Sequence, residues 1–552
     1  MQKRDSARQS RKANPDEHNC LAQNDNIAGV NPDAVCTVKG INRMAVNRRE
    51  LLKIMGGASA ALALPRFGRA QAANFAATRQ SLQAYQIPEW YRDAKFGIWS
   101  HWGPQSAIEF GDWYARTMYE EGSPQYLYHA ETYGHPSKVG YKDLVNNWKA
   151  AKWDPDHLMS LYKKAGAKYF VSMGVHHDNF DLWDSKYNRW NAVNMGPKSD
   201  VVGTWQKAAQ KQGLRFGVSE HLWISYKWWA PSHLSDKSGP LAGVPYDGAD
   251  AQYADLYHDA DCARFGDKLD WNDDGIPDSW KQHYVNRITD LIDKYQPDLL
   301  YTDGHLPFED YGLKVVSHLY NVSAQAHGGH TESVYTSKES SDCAVGTCLL
   351  DHERGVSDGI AKNPWQTDTC IGQWHYNRGQ KYKSAKKVID LLTDIVSKNG
   401  NLLLNFPLPN SGELDYEEMV TLNGITEWMS VNSEGIYSTR PWKIYGEGPS
   451  TKVKIETGNF NEDKSKDLTA EDVRFTTKDS TLYAFVMGRP EKAAVVNSLG
   501  LASDQAPGKI RNVELLGYKG DLKWKQDDSA LRVEMPAEKL SDIGITLKVS
   551  LA

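Results

Sequence analysis

Histidines and carboxylates recur at the ends of short apolar segments in this sequence. They are His101, His176, His177, Asp178, Glu220, His221, Asp303 and Glu353. A helix cap or a structural ion pair would explain one such acid, but the recurrence after five segments indicates one shared site. Two carboxylates surrounded by histidine and tryptophan suit glycoside hydrolysis, in which one carboxylate attacks or stabilises the sugar and the other transfers the proton.

A cluster of histidines and acids also suits a metal-dependent hydrolase of the amidohydrolase type. Those enzymes usually carry a His-x-His pair on the first strand, whereas the first apolar segment here ends in "SHWG" with a single histidine, His101. Metal-dependent hydrolysis is therefore the less favoured alternative.

The elements that would bring these residues together are the strands of a parallel barrel. Eight short apolar runs span residues 94–103, 167–178, 214–221, 297–304, 333–337, 348–353, 365–372 and 401–409. Helical stretches lie between several of them, as in residues 279–296, where apolar side chains recur at helical spacing. Apolar strands that alternate with helices predict a parallel sheet, and about eight repeats predict an α/β fold with a (β/α)8-like barrel. The carboxyl ends of its strands would form the rim that carries the site.

The pattern changes after Tyr437. Residues 473–488 and 531–551 alternate apolar and polar side chains with a period of two, with turn residues between the runs. This alternation is typical of antiparallel strands that bury one face. We therefore expect a catalytic barrel over residues 73–437 and a C-terminal antiparallel β-sandwich over residues 438–552.

The first 72 residues are predicted to be an extension and an export signal. Residues 47–53 read "NRRELLK" and precede a weakly apolar run, "IMGGASAALAL", that is too short to span a membrane. The small residues Ala70 and Ala72 follow, as in a bacterial twin-arginine signal. Cleavage after Ala72 would give a periplasmic or secreted protein, and Met44 is a candidate for the true start. Two surface arginines before a small helix are the alternative.

The composition excludes some classes of partner. The chain has 552 residues, 40% of them hydrophobic, and a net charge of −6. It has no block of lysine and arginine, so we expect no nucleic-acid partner and, after signal cleavage, no membrane partner. Its 19 Trp and 28 Tyr suit flat apolar platforms for carbohydrate, although large α/β enzymes can be rich in tryptophan without such a role.

The cysteines leave the disulfide pattern open. Four remain after removal of the signal: Cys262, Cys343, Cys348 and Cys370. Four cysteines allow three complete pairings, and the sequence does not choose among them. A twin-arginine substrate folds in the reducing cytoplasm, so disulfides would form late or not at all. The sequence has no C-x-x-C pair, which argues against structural zinc.

Residues 270–278 read "DWNDDGIPD" and resemble the start of a calcium loop. The candidate ligands are Asp270, Asn272, Asp274 and Asp278, with Gly275 at the sixth position. The twelfth position is Lys281, so the usual bidentate glutamate is absent. Structural Ca²⁺ is thus one interpretation, and an acidic turn that caps the following helix is the other.

The chain resembles the α-L-fucosidases, glycoside hydrolase family 29, from about residue 80 to its C-terminus. The motifs that carry the resemblance are "WYRDAKFGIWSHWGPQS", "GAKYFVSMGVHHDNFDLWDSKYNRWNAV", "GPKSDVVG", "YQPDLLYTDG", "PWQTDTCIG" and "VSKNGNLLLNFPLPNSG". The resemblance implies a (β/α)8-like barrel followed by a β-sandwich, and retaining hydrolysis of terminal α-L-fucose without a cofactor. The implied substrate is a fucosylated oligosaccharide or glycoconjugate, and an oligomer is compatible with it.

The resemblance also implies roles for individual residues. Asp303 would be the nucleophile and Glu353 the acid/base, with Glu332, Glu339 and Asp351 as the nearby carboxylates considered for the second role. The implied substrate-binding residues are His101, Trp113, His176 and His177. We also expect Glu220, His221 and Lys338 at the pocket, at positions where this chain departs from the family pattern. Trp374 would supply an apolar wall for the methyl group of fucose.

Two departures from the family pattern leave the exact sugar open. Many relatives carry Tyr where this chain has Glu220 and His221, and Lys338 stands where Arg is frequent. Lysine is a point charge without the planar fork of arginine. Related α-L-sugars or galactose-like sugars therefore stay alternatives. A carbohydrate-binding protein on an inactive barrel would lack one of the two carboxylates, and neither is missing here.

Overall fold

Eight parallel strands close into a barrel in the computed structural model, which describes residues 74–343, 346–464, 467–538 and 540–551. The predicted twin-arginine segment lies outside the described residues. The barrel strands are β1 (Phe96–Ser100), β2 (Tyr169–Val175), β3 (Arg215–Glu220), β4 (Leu299–Thr302), β5 (Val334–Ser337), β6 (Leu349–Glu353), β7 (Trp365–Cys370) and β8 (Gly400–Asn405). Each strand pairs with its neighbour in chain order, and β8 closes on β1. The predicted (β/α)8-like fold is confirmed, with one strand in each of the eight apolar runs.

The helices of the described residues alternate with these strands and continue beyond them. They are α1 (Arg79–Leu82), α2 (Glu89–Ala94), α3 (Tyr114–Thr117), α4 (Pro124–Thr132), α5 (Tyr141–Leu144), α6 (Pro155–Lys164), α7 (Val201–Lys211), α8 (Ser225–Trp228), α9 (Ala254–Tyr257), α10 (Asp278–Tyr295), α11 (Asp310–Ala326), α12 (Ser340–Cys343), α13 (Ala385–Ser397) and α14 (Tyr416–Asn432). Helix α10 matches the helix predicted from the apolar spacing of residues 279–296.

Large aromatic side chains fill the interior of the barrel. Trp99, Tyr169 and Tyr301 are buried there, with Tyr91 of α2 packed against them. A Cβ on Gly97 would lie 2.3 Å from the Tyr169 ring, so only glycine leaves room for that ring on the neighbouring strand. The lower barrel is therefore a packed core, which leaves only the ends of the strands free to carry a site.

Two antiparallel sheets follow the barrel. Their strands are β9 (Arg440–Glu447), β10 (Val473–Lys478), β11 (Thr481–Val486), β12 (Ala493–Val496), β13 (Ile510–Leu515), β14 (Trp524–Gln526), β15 (Leu531–Glu534) and β16 (Ile545–Leu551). One sheet has the order β13-β16-β11-β10-β9 and the other has the order β12-β15-β14. Alternate residues of these strands share one apolar core, as the period-two pattern predicts.

One disulfide forms among the described residues, between Cys343 and Cys348, whose Cα atoms are 4.7 Å apart. Cys262 and Cys370 are buried as free thiols. The sequence left the pairing open, and none of the three complete pairings forms, because two of these four cysteines stay as thiols. Within the described residues, every helix is too short or too polar to cross a membrane.

A buried charge cluster joins the barrel to the sandwich. Asp394 of α13 accepts hydrogen bonds from Lys398 at 2.7 Å and from Arg474 of β10 at 2.6 Å. Burial would raise the pKa of the Asp394 carboxyl, but the two cations outweigh burial and hold that pKa below its usual range. Since the folded pKa is depressed, the cluster stabilises the fold above the ordinary aspartate pKa, and this stabilisation is lost as the pH falls.

We expect Asp394→Asn to lower the free energy of unfolding by about 3–5 kcal/mol at neutral pH, because it leaves two buried cations facing each other. Urea unfolding at pH 7 and at about pH 2.5, below the ordinary aspartate pKa, measures this, and the difference from the wild type should shrink at the lower pH. Asp156→Asn is the control, since Asp156 pairs with Lys211 on the open surface at 2.6 Å and should change little. Equal losses in both variants would contradict the role of the cluster.

Candidate active site

Asp303 follows the last residue of β4 and lies at the carboxyl rim of the barrel. The next residue, Gly304, has φ +95°, and a Cβ there would lie 3.1 Å from the Trp223 ring. The Trp223 indole nitrogen donates to the backbone carbonyl of Asp303. The strand therefore ends in a turn that glycine permits and that a tryptophan covers, which fixes the direction of the Asp303 side chain.

Lys338, which follows β5, contacts both predicted catalytic carboxylates. Its ammonium nitrogen donates to Oδ1 of Asp303 and, at 2.5 Å, to Oε2 of Glu353. The Lys338 backbone N–H donates to the carbonyl of Gly304 at 2.7 Å. The charge that the sequence placed in the pocket therefore stands between the two acids and holds them together.

Glu353 ends β6 and is fixed from two sides. The Trp374 indole donates to Oε1 of Glu353 at 3.2 Å. The backbone N–H of Glu353 donates to Oδ1 of Asn459 at 3.1 Å, and its carbonyl accepts from the N–H of Phe460 at 2.7 Å. The carboxyl group thus lies beside the indole of Trp374, while its backbone is bound to a segment that comes after the barrel in the chain.

The other carboxylates considered for the acid/base role do not share this arrangement. Glu332 precedes β5, at the opposite end of that strand from Lys338, and lies 3.5 Å from Arg215. Glu339 lines the cavity but is exposed. Asp351 points into the barrel below Glu353, where Gln366 donates to it at 2.7 Å. Of these groups, Glu353 is the one that contacts Lys338.

The pKa values of the two carboxyl groups are shifted in opposite directions. Burial would raise the pKa of Asp303, but Lys338 and hydrogen bonds from His177 and His221 hold it well below its usual range. Burial raises the pKa of Glu353, and the charges of Asp368 and Asp303 add to that effect against the opposing Lys338. Such a separation suits an ionised nucleophile beside a protonated acid.

The four predicted histidines form the floor of the cavity: His101, His176, His177 and His221. His177 Nε2 and His221 Nδ1 lie 3.4 Å and 3.3 Å from Oδ2 of Asp303. His177 donates through Nδ1 to the carbonyl of His221 at 2.5 Å. Gln105 donates to Nδ1 of His176 at 3.2 Å, so the proton of the neutral ring is on Nε2.

Burial keeps most of this floor uncharged. It lowers the pKa values of His101, His176 and His221, and the neighbouring histidines lower them further. A neutral imidazole offers one donor and one acceptor, which matches the hydroxyl groups of a sugar. These rings belong to three groups whose geometry could hold a metal ion: His101, His176 and His221; His177, His221 and Asp303; and Asp112, His176 and His375.

Glu220 does not line the cavity, and the prediction that placed it there is wrong. Its carboxylate accepts from Thr302 Oγ1 at 2.8 Å and from the Tyr284 hydroxyl at 3.0 Å, with no side-chain exposure. Burial raises its pKa to about 7. Glu220 is the last residue of β3, and strand alternation turns its side chain toward α10, whereas His221 lies beyond the end of the strand.

Trp113 and Trp374 line the cavity, as predicted, and several other lining residues were not predicted. The cavity encloses about 570 Å³. The lining residues missed by the sequence analysis include Trp99, Asp112, Trp223, Trp271, Tyr301, His305, Asp368, Asn459 and Phe460. Asp368 could have been found, because it lies on a predicted strand and is the register partner of Glu353. Phe460 carries no local signal of this kind.

His375 was also missed, although it adjoins the predicted Trp374. It donates through Nδ1 to Asp112 at 2.5 Å, and its ring centroid lies 4.9 Å from that of His176. It is fully buried behind the floor. Its contacts with Asp112 and the His176 ring support the cavity floor.

The side chain of Lys227 lies against the acidic loop at residues 270–278. The Lys227 ammonium donates to Oδ1 of Asn272 at 2.6 Å and lies 3.8 Å from Asp270. Asp278 pairs instead with Lys281 at 3.2 Å. Calcium binding stays a prediction, and this contact disfavours it, because a fixed positive charge already lies on two of the four proposed ligands.

Two family models match the chain. The model described as "Alpha-L-fucosidase" matches residues 63–434, and that described as "Alpha-L-fucosidase C-terminal domain" matches residues 465–550. The chain is 27% identical to human tissue α-L-fucosidase over 83% of this chain and 86% of the relative. It is 26% identical to human plasma α-L-fucosidase over 84% of this chain and 89% of the relative.

Solved structures share the fold. An α-L-fucosidase superposes with a TM-score of 0.66 at 23% identity, over 86% of this chain and 100% of the other. The Thermotoga maritima α-fucosidase in complex with fucose gives a TM-score of 0.64 at 24% identity, over 86% of this chain and 99% of the other.

We expect chelation with EDTA to leave the melting temperature of the wild-type protein unchanged, because the Lys227 ammonium already lies beside Asp270 and Asn272, where a cation would bind. Lys227→Met should lower the free energy of unfolding by about 1.5–3 kcal/mol, the usual contribution of a hydrogen bond to a charged group. Thermal unfolding with EDTA and with added Ca²⁺ tests both statements. A melting temperature that falls on chelation and recovers with Ca²⁺ would establish the calcium site instead.

Proposed function

Because the chain belongs to the α-L-fucosidase family it is a glycoside hydrolase, and we propose that it releases terminal α-L-fucosyl residues from glycans with retention of configuration. The observation that carries this proposal is the single ammonium of Lys338 in contact with both Asp303 and Glu353. It supports a pair of carboxylates that act on the same glycosidic bond.

The bridge favours retention over inversion. Retaining glycosidases place their two carboxyl groups about 5–5.5 Å apart, whereas inverting enzymes need about 6.5–9.5 Å to admit a water between acid and sugar. Two carboxylates that share hydrogen bonds from one Nζ fit the shorter spacing. Asp303 is then close enough to C1 to attack it, rather than acting through a water molecule.

In the first step, Asp303 attacks C1 while Glu353 transfers its proton to the glycosidic oxygen. The bond from C1 to that oxygen breaks, the aglycone leaves as an alcohol, and a fucosyl ester of Asp303 forms. In the second step, the ionised Glu353 takes a proton from water as the water attacks C1. The ester bond breaks, which restores both carboxyl groups and releases fucose with its original configuration.

The surrounding residues bind the sugar. The neutral rings of His101, His176 and His221 hydrogen-bond the hydroxyl groups of fucose, and His177 does so beside Asp303. The ring centroids of Trp374 and Trp99 are 5.6 Å apart, and both line the cavity. Trp374 provides the apolar contact for the fucose methyl group, which lacks the hydroxyl of most hexoses.

We also propose that the protein is exported through the twin-arginine route. Arg48 and Arg49 precede a short apolar run and small residues, which is the order that this route requires. Fucosylated glycans outside the cytoplasm would then be its substrates, and no cofactor is required for the chemistry.

A panel of nitrophenyl glycosides tests the proposed function. We expect cleavage of the α-L-fucoside and much less of the α-L-galactoside, whose hydroxymethyl group would meet Trp374. The β-L-fucoside should resist cleavage because its leaving group lies on the face from which Asp303 attacks, and the α-D- and β-D-galactosides because their rings have the opposite configuration. Proton NMR of the first product should show the α-anomer before mutarotation. Preferred cleavage of a galactoside would show that the substrate is a related sugar and not fucose. A β-anomer formed first would exclude retention.

We expect Glu353→Ala to reduce turnover of an unactivated fucosyl disaccharide by several powers of ten more than turnover of 2,4-dinitrophenyl α-L-fucoside. The aryl group departs with little protonation, whereas the disaccharide needs the acid. Steady-state kinetics on both substrates measures the difference. Glu332→Ala is the control, since this glutamate lies at the opposite end of β5 from Lys338 and outside the cavity, and it should not show this split.

Reaction with azide distinguishes the roles of the two carboxylates, because the anomer of the fucosyl azide depends on which carboxylate is missing. In Glu353→Ala, azide would attack the fucosyl ester of Asp303 and give the α-fucosyl azide. In Asp303→Ala, it would attack the α-fucoside directly and give the β-azide. A β-azide from Glu353→Ala would contradict the assignment of both residues.

A further inference from the structure

Two exposed aromatic rings lie at the rim of the catalytic cavity. Trp271 is 52% exposed and Phe460 is 63% exposed, and both line the cavity that holds Asp303 and Glu353. Isolated exposed apolar side chains are ordinary. Here, however, two of them border one polar cavity although they lie far apart in the sequence, on a barrel loop and on a segment beyond the barrel.

The loop of Trp271 is anchored through the two residues that follow the tryptophan. The next residue, Asn272, accepts from the buried Lys227 at 2.6 Å. Asp273 accepts from the N–H of Phe308 at 3.1 Å and lies 3.7 Å from His305. The Trp271 ring itself lies 5.5 Å, between centroids, from the Trp113 ring in the cavity wall. The backbone is thus fixed while half of the indole stays open, which is the arrangement of a preorganised platform.

Phe460 is held in a strained conformation. Its φ is +53°, a region that non-glycine residues with large side chains adopt at a cost. The strain is maintained by hydrogen bonds on both sides: Phe460 N–H to the Glu353 carbonyl at 2.7 Å and Asn461 N–H to the Arg354 carbonyl at 3.1 Å. The result is a phenyl ring that points to solvent beside the predicted acid/base.

The position beside Glu353 identifies what such rings would contact. Glu353 must reach the oxygen that joins fucose to the rest of the glycan, so the aglycone leaves the pocket past this residue. The histidine floor is buried and suits the fucosyl ring. Apolar rings at the rim suit the C–H face of a second pyranose, and His305 and Glu339 at the same rim offer polar partners for its hydroxyls.

We propose that Trp271 and Phe460 form an aglycone subsite that stacks against a hexopyranose attached to the fucosyl residue. This inference rests on the proposed fucosidase function and extends it. The protein is then a glycan-directed enzyme, whose specificity beyond fucose comes from a barrel loop and from a segment that follows the barrel.

The test compares two substrates that differ only beyond the fucosyl ring. α-L-Fucosyl fluoride has a leaving atom too small to reach the rim, and a fucosyl disaccharide carries a galactose or N-acetylglucosamine there. The disaccharide that the wild type cleaves fastest, among the linkage isomers of fucosyl-galactose and fucosyl-N-acetylglucosamine, is used for all variants. We expect Trp271→Ala and Phe460→Ala each to lower kcat/KM on the disaccharide by about 3–10-fold, and to leave kcat/KM on the fluoride unchanged.

Two further variants keep the outcome interpretable. Phe460→Asn removes the ring but tolerates the left-handed backbone, so it should reproduce Phe460→Ala. Tyr416→Ala removes an exposed ring that does not line the cavity and should change neither substrate. Equal losses on both substrates, unchanged disaccharide cleavage, or a wild type that cleaves the fluoride but no disaccharide would each overturn the subsite alone. A wild type that cleaves neither substrate would overturn the proposed function and the subsite with it.

Discussion

One ammonium group determines the geometry of this site. Strand β5 lies between β4 and β6 in the closed barrel, so the side chain at its end falls between those of Asp303 and Glu353. Lys338 can serve both acids, because the three N–H donors of an ammonium point in different directions, whereas the fork of an arginine is planar. The lysine thus holds Asp303 ionised, and burial together with neighbouring negative charges outweighs its effect on Glu353.

The uncharged histidines follow from the same balance. The site already contains one cation and an ionised aspartate in a buried environment, and further positive charge would be costly there. His101 Nδ1 and His221 Nε2 are buried and have no hydrogen-bond partner among the described residues. Unpaired polar atoms of this kind reduce stability. A ligand rich in hydroxyl groups would supply the missing hydrogen bonds. The same unpaired atoms that lower the stability of the fold would therefore increase the affinity for a sugar.

The sequence predicted the barrel and the histidine floor of the cavity, because both depend on local patterns. The site residues end apolar runs or directly follow them, and parallel strands bring those ends to one rim. His176 and His177 both reach the cavity because β2 ends at Val175 and the chain leaves the extended conformation. The prediction for Glu220 was wrong because this residue is still part of β3, where strand alternation turns its side chain toward α10. Trp271 and Phe460 could not be predicted, because no local pattern reports on contacts between distant loops.

The contact between Glu353 and the segment at Asn459 gives the C-terminal part of the chain a role beyond packing against the barrel. Packing against the barrel would require only an interface such as that of Asp394 and Arg474. The backbone of Glu353 instead forms hydrogen bonds on both its N–H and its carbonyl with residues that lie 106 and 107 positions later, Asn459 and Phe460. A side chain that must hold and return a proton works best when its backbone is fixed. The chain beyond the barrel therefore takes part in positioning the acid, which ties the order of the active site to the folding of the sandwich.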